Sequence, residues 1–133
     1  MKSLIQILLL SVVMISFMSP SHAKKTEHQP ITIKVFYGEK ISLFSIEKTK
    51  LGGQVHFSSN ASAKQVRPIS GKDFEFLRNK IAEIPGTSND KNFCTRNFIS
   101  IIAEGKELIG CIGAPNEFAR GVQETTNLVS ILF

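Results

Sequence analysis

NFCTRNFISIIAEGKELIGCIGAPN, residues 92–116, holds both cysteines of the chain, Cys94 and Cys111, around a candidate hairpin. Asn97–Ala103 and Glu107–Ile112 read as its strands, and either Glu104-Gly105 or Gly105-Lys106 supplies a two-residue turn. With either turn, Cys111 falls opposite Phe98 or Ser100. Cys94 then lies roughly four to six residues beyond that position, and at about 3.3 Å per residue a straight strand would hold the sulfurs apart. A bond between them requires Cys94 to leave the ladder in an entry loop that curls back over Cys111. The polar connection GTSNDKNF before it would then be pinned onto the sheet.

Downstream, Gly113-Ala114-Pro115-Asn116 breaks the hairpin, and Pro115 suits a first helical turn. Phe118, Val122, Thr125, Val129 and Leu132 mark one face of a closing helix. Gly121 is expected to let that helix approach the sheet. The β-branched residues near the end make a strand over 128–133 the competing reading.

Upstream, Phe74, Leu77, Ile81 and Ile84 fall on one helical face, with Phe76 to one side. Ser70 and Asp73 resemble a capping box at its start, and Pro85-Gly86 ends it. Residues 58–70, SSNASAKQVRPIS, are polar and aperiodic and read as a loop. Gln54–Ser58 reads as a short strand after a Leu51-Gly52-Gly53 turn. Ile31–Tyr37 and Lys40–Lys48 read as a hairpin whose Gly38-Glu39 turn fits type II′. The apolar positions of the second strand run 41, 43, then 44, 46, and this change of phase suggests a bulge near Leu43-Phe44. The order β-β-β-α-β-β-α gives an α+β class, with an antiparallel sheet of about five strands and two helices packed on one face.

The N-terminus sets the compartment. Lys2, an apolar run over Leu4–Phe17 and the small residues Ser21 and Ala23 have the layout of a secretory signal cleaved after Ala23. The run is short of the roughly 20 residues that span a bilayer. The expected organisation is a signal peptide over 1–23, a flexible leader over 24–30 and a single domain over 31–133, with no stable membrane span after cleavage. The 110 residues left after cleavage carry 15 basic and 11 acidic side chains, a net +4. Their charges are scattered, which argues against nucleic acid and allows a mild preference for anionic partners.

An exported domain with two cysteines most often pairs them, and a bridge from Cys94 to Cys111 would contribute on the order of 3 kcal/mol. Zinc would want four ligands at characteristic spacings, and in the chain left after cleavage only His28 and His56 accompany the cysteines; a redox pair would want Cys-x-x-Cys. No metal or cofactor is expected.

Other motifs read as ordinary surface chemistry. Ser70-Gly71-Lys72 lacks the upstream glycine of a phosphate loop, and Ser70 with Lys72 misses the spacing of a Ser-Lys dyad. His56 should face away from Val55 and Phe57, toward water. Glu104, Glu107 and Glu117 decorate a turn and a helix start. Asn60-Ala61-Ser62 is a formal glycosylation site. Lys64, Arg67 and Lys72 form the most basic local stretch, a candidate anion-facing patch.

The layout is similar to that of small secreted inhibitor and binding modules, the emfourin-type protease inhibitors among them. The glycine-rich first-hairpin motif of that group is absent, so no site residue is carried over. The expectation is a non-enzymatic exported binding or inhibitor-like module, periplasmic or secreted. Its partner would be a protein or envelope component, met through a sheet edge or through residues 59–70 and 86–96. The alternative is a small exported hydrolase with His56 near a serine or carboxylate.

Overall fold

The computed structural model describes residues 29–86 and 94–133. The signal-peptide reading, most of the leader and residues 87–93 of the polar connection lie outside the described residues. Among the described residues six strands form one antiparallel sheet: β1 (Ile31–Tyr37), β2 (Lys40–Thr49), β3 (Gly52–Ser59), β4 (Ser62–Ile69), β5 (Asn97–Ala103) and β6 (Lys106–Cys111). Two helices, α1 (Gly71–Ala82) and α2 (Glu117–Ser130), complete the order β-β-β-β-α-β-β-α. The sheet runs β4-β3-β2-β1-β5-β6, so the first four strands form a meander and the β5–β6 hairpin adds to its β1 side.

The α+β class with two helices on one face is as expected, but the sheet has one strand more. Ser62–Ile69 is not a loop: it pairs with β3 through Gly53↔Ile69 and His56↔Val66, after a two-residue turn at Asn60-Ala61. β4 is one of the two edge strands, β6 being the other, and most of its residues are exposed. No face of it is deeply buried, so its sequence carries no alternation of polarity. Pro68 is tolerated because it stands on an edge strand.

The Leu43-Phe44 bulge is also corrected. β2 pairs with β1 without a break from Lys40 to Ile46. Both faces of β2 carry apolar residues in different halves. Phe44 and Ile46 point to the helices and are buried, whereas Ile41 and Leu43 face the other way. The one register shift in the meander lies between Phe57 and Ser59, against β4.

Alternation sorts the remaining strands. Ile31, Ile33, Phe44, Ile46, Val55, Ile99 and Ile101 form the helix-facing side of the core, and Phe74, Leu77, Ile81, Phe118, Val122 and Val129 cover it. Ser70 caps α1 in a complete capping box. Its hydroxyl accepts from the Asp73 amide at 3.0 Å, and the Asp73 carboxylate accepts from the Ser70 amide at 3.2 Å. α2 starts at an Asn116 cap rather than on Pro115, which precedes it; Asn116 Oδ1 accepts from the Ala119 amide at 2.7 Å. The helix reading of the C-terminal segment holds through Ser130, against a strand over 128–133. Buried Thr125 and Thr126 donate to the Gly121 and Val122 carbonyls, so neither hydroxyl is left unsatisfied.

Gly121 does not serve the approach to the sheet. A β-carbon there would meet the Ile84 side chain at 3.3 Å, beyond the end of α1. The glycine that admits the helix lies in the sheet: a β-carbon on Gly110 would stand 3.1 Å from Val122.

Cys94 and Cys111 are joined, with a Cα–Cα distance of 4.9 Å. The β5–β6 turn is Glu104-Gly105, both at positive φ, which puts Cys111 opposite Phe98. Cys94 leaves the ladder through a turn in which the Asn97 amide donates to its carbonyl at 3.0 Å, with Thr95 at φ +41°. That turn carries it back over Cys111 on the sheet face away from the helices. There Ile41, Phe36, Phe98 and Cys111 form a row across four strands, and the Phe36 and Phe98 rings stack at 4.4 Å. Cys94 is buried at the end of this row.

Candidate interaction surfaces

The strand β4 carries two of the three cations singled out in the sequence, and their placement follows from the two-residue period of a strand. Arg67 stands opposite Val55 and therefore on the helix-facing side. Its Cζ lies 5.8 Å from the Phe133 ring centre, and its Nε donates to the Leu132 carbonyl at 3.3 Å. Phe133 in turn packs on Phe44 and Phe57, at 6.0 and 5.1 Å between ring centres. Lys64 projects to the opposite, open face, where it borders a recess of about 240 Å³ with Leu43, Ser45, His56 and Val66. Lys72 sits in the first turn of α1, exposed. The three do not converge on one point, so they form no single anion pocket. They stand along one margin of the molecule, and β4 itself holds no acidic residue.

That margin is an open edge. Among the described residues β4 pairs only with β3, and Val66 on its open face is 48% exposed. The turn leading into β4 is fixed by Asn60. Its Oδ1 accepts from the Ile41 amide at 3.2 Å and its Nδ2 donates to the Glu39 carbonyl at 2.7 Å. The formal glycosylation residue is thus engaged at both ends of its amide.

His56 lies on the open face, as alternation requires. Its Nε2 is 3.9 Å from Glu47 Oε2, both side chains are about half exposed, and Ser45 is its direct cross-strand neighbour. No hydrogen bond joins Ser45 to His56 among the described residues. On the same face Ser100 is buried and donates to Glu107 Oε1 at 2.6 Å. Glu104 is 3.8 Å from Arg78, and Glu117 stands in the first turn of α2.

A second concavity runs between the helices on the outer surface. This groove of about 550 Å³ is lined by Phe76, Lys80, Ile84, Glu124 and Leu128, among others. Phe76 is 50% exposed there, and Lys80 Nζ lies 5.7 Å from its ring centre. The charges around it, Lys80 against Glu83 and Glu124, select no one kind of occupant.

Among the described residues no group of three or more His, Cys, Asp or Glu side chains could hold a metal ion, and no helix is long and apolar enough to cross a membrane. The β4 margin escaped sequence reading because the strand itself did. The signal that could have found it is the Ser59–Ser62 turn, where Asn60-Ala61 connects two stretches of strand length. In comparisons with known proteins, no family, curated protein or solved structure matches this chain.

Proposed function

We propose that the protein is a small exported, non-enzymatic binding or inhibitor-like module, periplasmic or secreted, that meets a protein or envelope component along the β4 edge. The observation that carries this reading is the edge strand β4: mostly exposed, without a neighbouring strand on its outer side among the described residues, and held on a sheet braced by two helices. An exposed edge is a ready template for strand addition, a common mode of peptide recognition. The exported address rests on the N-terminal layout, and the Cys94–Cys111 bond suits an oxidising compartment.

A second reading, a small exported hydrolase, draws on the Glu47, His56 and Ser45 neighbourhood. The two are separated by immobilising the oxidised protein and exposing it to the host's envelope extract and medium, beside an assay of ester and peptide hydrolysis. A stoichiometric partner lost when β4 carries Val66→Asp, with no turnover, is the expected result. Turnover abolished by both Ser45→Ala and His56→Ala would overturn the binding reading in favour of the hydrolase.

A further inference from the structure

We infer that the β4 edge recognises an acidic extended segment added antiparallel to it, with two acidic residues three positions apart and an apolar residue directly following the first. This rests on the binding-module reading and supplies the chemistry of its partner.

The argument starts from the failure of the cations to converge. Lys64 and Arg67 are three residues apart in one strand, so they occupy opposite faces of the sheet. A single compact anion cannot reach both. An added strand can, because its own side chains alternate between the same two faces. The residues opposite Lys64 and Arg67 would themselves be three apart, one on each face. Between them, the position opposite Val66 lies on the open face beside a side chain that is 48% exposed, and an apolar residue there would cover it. Read from its N-terminus, the added segment is therefore acid, apolar, any residue, acid.

Three further observations favour this occupant. β4 carries no acidic side chain to compete for either cation. Arg67 is already held in place by the Phe133 ring and the Leu132 carbonyl, and among the described residues that Nε contact leaves the other guanidinium donors for a carboxylate. A second copy of the chain is disfavoured. Self-pairing of β4 keeps matching faces together and brings neither cation an acid, because the strand carries none. Pro68 lacks an N–H and so confines the pairing to the stretch before it.

The test uses the oxidised protein and fluorescein-labelled octapeptides, read by fluorescence anisotropy. The first probe is Thr-Thr-Asp-Val-Thr-Asp-Thr-Thr. A second has its two acids two positions apart, and a third carries Lys in place of both Asp. The first should bind tightest and weaken as salt rises. Lys64→Glu and Arg67→Glu should each weaken it about fivefold, the shift expected when a cross-strand pair turns from attraction to repulsion. The variant carrying both should prefer the lysine probe. Lys64 is exposed and makes no packing contact in the core, so Lys64→Glu keeps the test valid if Arg67→Glu lowers the melting temperature. Equal affinity for the three probes, no binding, or affinity unmoved by either variant overturns the inference. A partner captured from the envelope that ignores both charge reversals would also overturn it, while leaving the binding-module reading in place. A concentration-dependent dimer abolished by Val66→Asp would assign the edge to a second copy and overturn it too.

Discussion

Gly110 and Val122 meet where α2 crosses β6, and the pair shows how little of a close contact one residue reveals. A β-carbon on Gly110 would stand 3.1 Å from the Val122 β-carbon, and Val122 is fully buried. Gly110→Ala is expected to destabilise the fold. Overpacking of about 1–3 kcal/mol outweighs the roughly 0.5–1 kcal/mol that alanine returns in backbone entropy. In a Val122→Ala background the γ-carbon contacts at 3.2 and 3.3 Å are gone while the β-carbon contact at 3.1 Å stays, so the same substitution should cost less. Urea unfolding of the four proteins closes the cycle, and additive effects would refute the contact. The sequence marked Gly121 for close approach, yet that residue admits Ile84 and the sheet's own Gly110 admits the helix. A glycine's spelling says that something comes near, and only the fold says what. Arg67 teaches the same lesson from the other side: its basic stretch was visible, but the face it occupies depends on a strand that was not.

At the scale of elements, legibility followed burial. The start and the buried face of α1 were readable because Phe74, Leu77 and Ile81 repeat at helical spacing and because Ser70 and Asp73 announce the start, but the helix ends at Ala82, two residues short of Ile84, which the spacing places on its face. β1 and most of β2 were readable for the same reason. β4 is exposed along most of its length, so no hydrophobic period distinguishes it from a loop, and the pairing that creates it is written in β3. The misread bulge in β2 arose from burial of a different kind, since apolar residues populate one face in its first half and the other in its second.

The α1 cap makes a pH prediction. The Ser70 hydroxyl donates to the Asp73 carboxylate at 2.6 Å and the Ser70 amide donates at 3.2 Å, and together they hold its pKa below the ordinary 3.8. A folded pKa below the unfolded one contributes stability that is present above the ordinary value and lost as pH falls through the lowered one. The melting temperature of Asp73→Ala should therefore lie below that of the native protein at neutral pH. The two should converge as the pH is taken well below 3.8, and a constant gap down to strong acid would show that the carboxylate's charge is not what the cap uses.

For the whole molecule, the sulfur bridge is the feature most completely derived from sequence, because chain geometry allowed only one way to close it. Either candidate turn, with Cys111 opposite Phe98 or Ser100, left too great a distance along a strand and forced Cys94 off the ladder; the observed turn chooses Phe98. The fold satisfies that condition with the Cys94–Asn97 turn and seats Cys94, 3% exposed, at the end of the Ile41, Phe36, Phe98 row. Seventeen residues separate the cysteines, and a closure of that length restricts the unfolded chain by about 3 kcal/mol. In a domain of this size, losing it should lower the melting temperature on the order of 10–15 °C. Cys94→Ser, Cys111→Ser and the native protein reduced with dithiothreitol should all melt at nearly the same depressed temperature, because each deletes the same constraint. Reduction changes no side chain, so agreement between it and the two variants separates the constraint from any effect of burying a serine hydroxyl. The sheet's remaining core does not depend on the bond, and the reduced protein should stay folded and monomeric at low temperature. Thiol titration of the native protein under denaturing, non-reducing conditions should find none free. Two titratable thiols, together with melting temperatures that reduction leaves unmoved, would remove both the bridge and the compartment argument built on it.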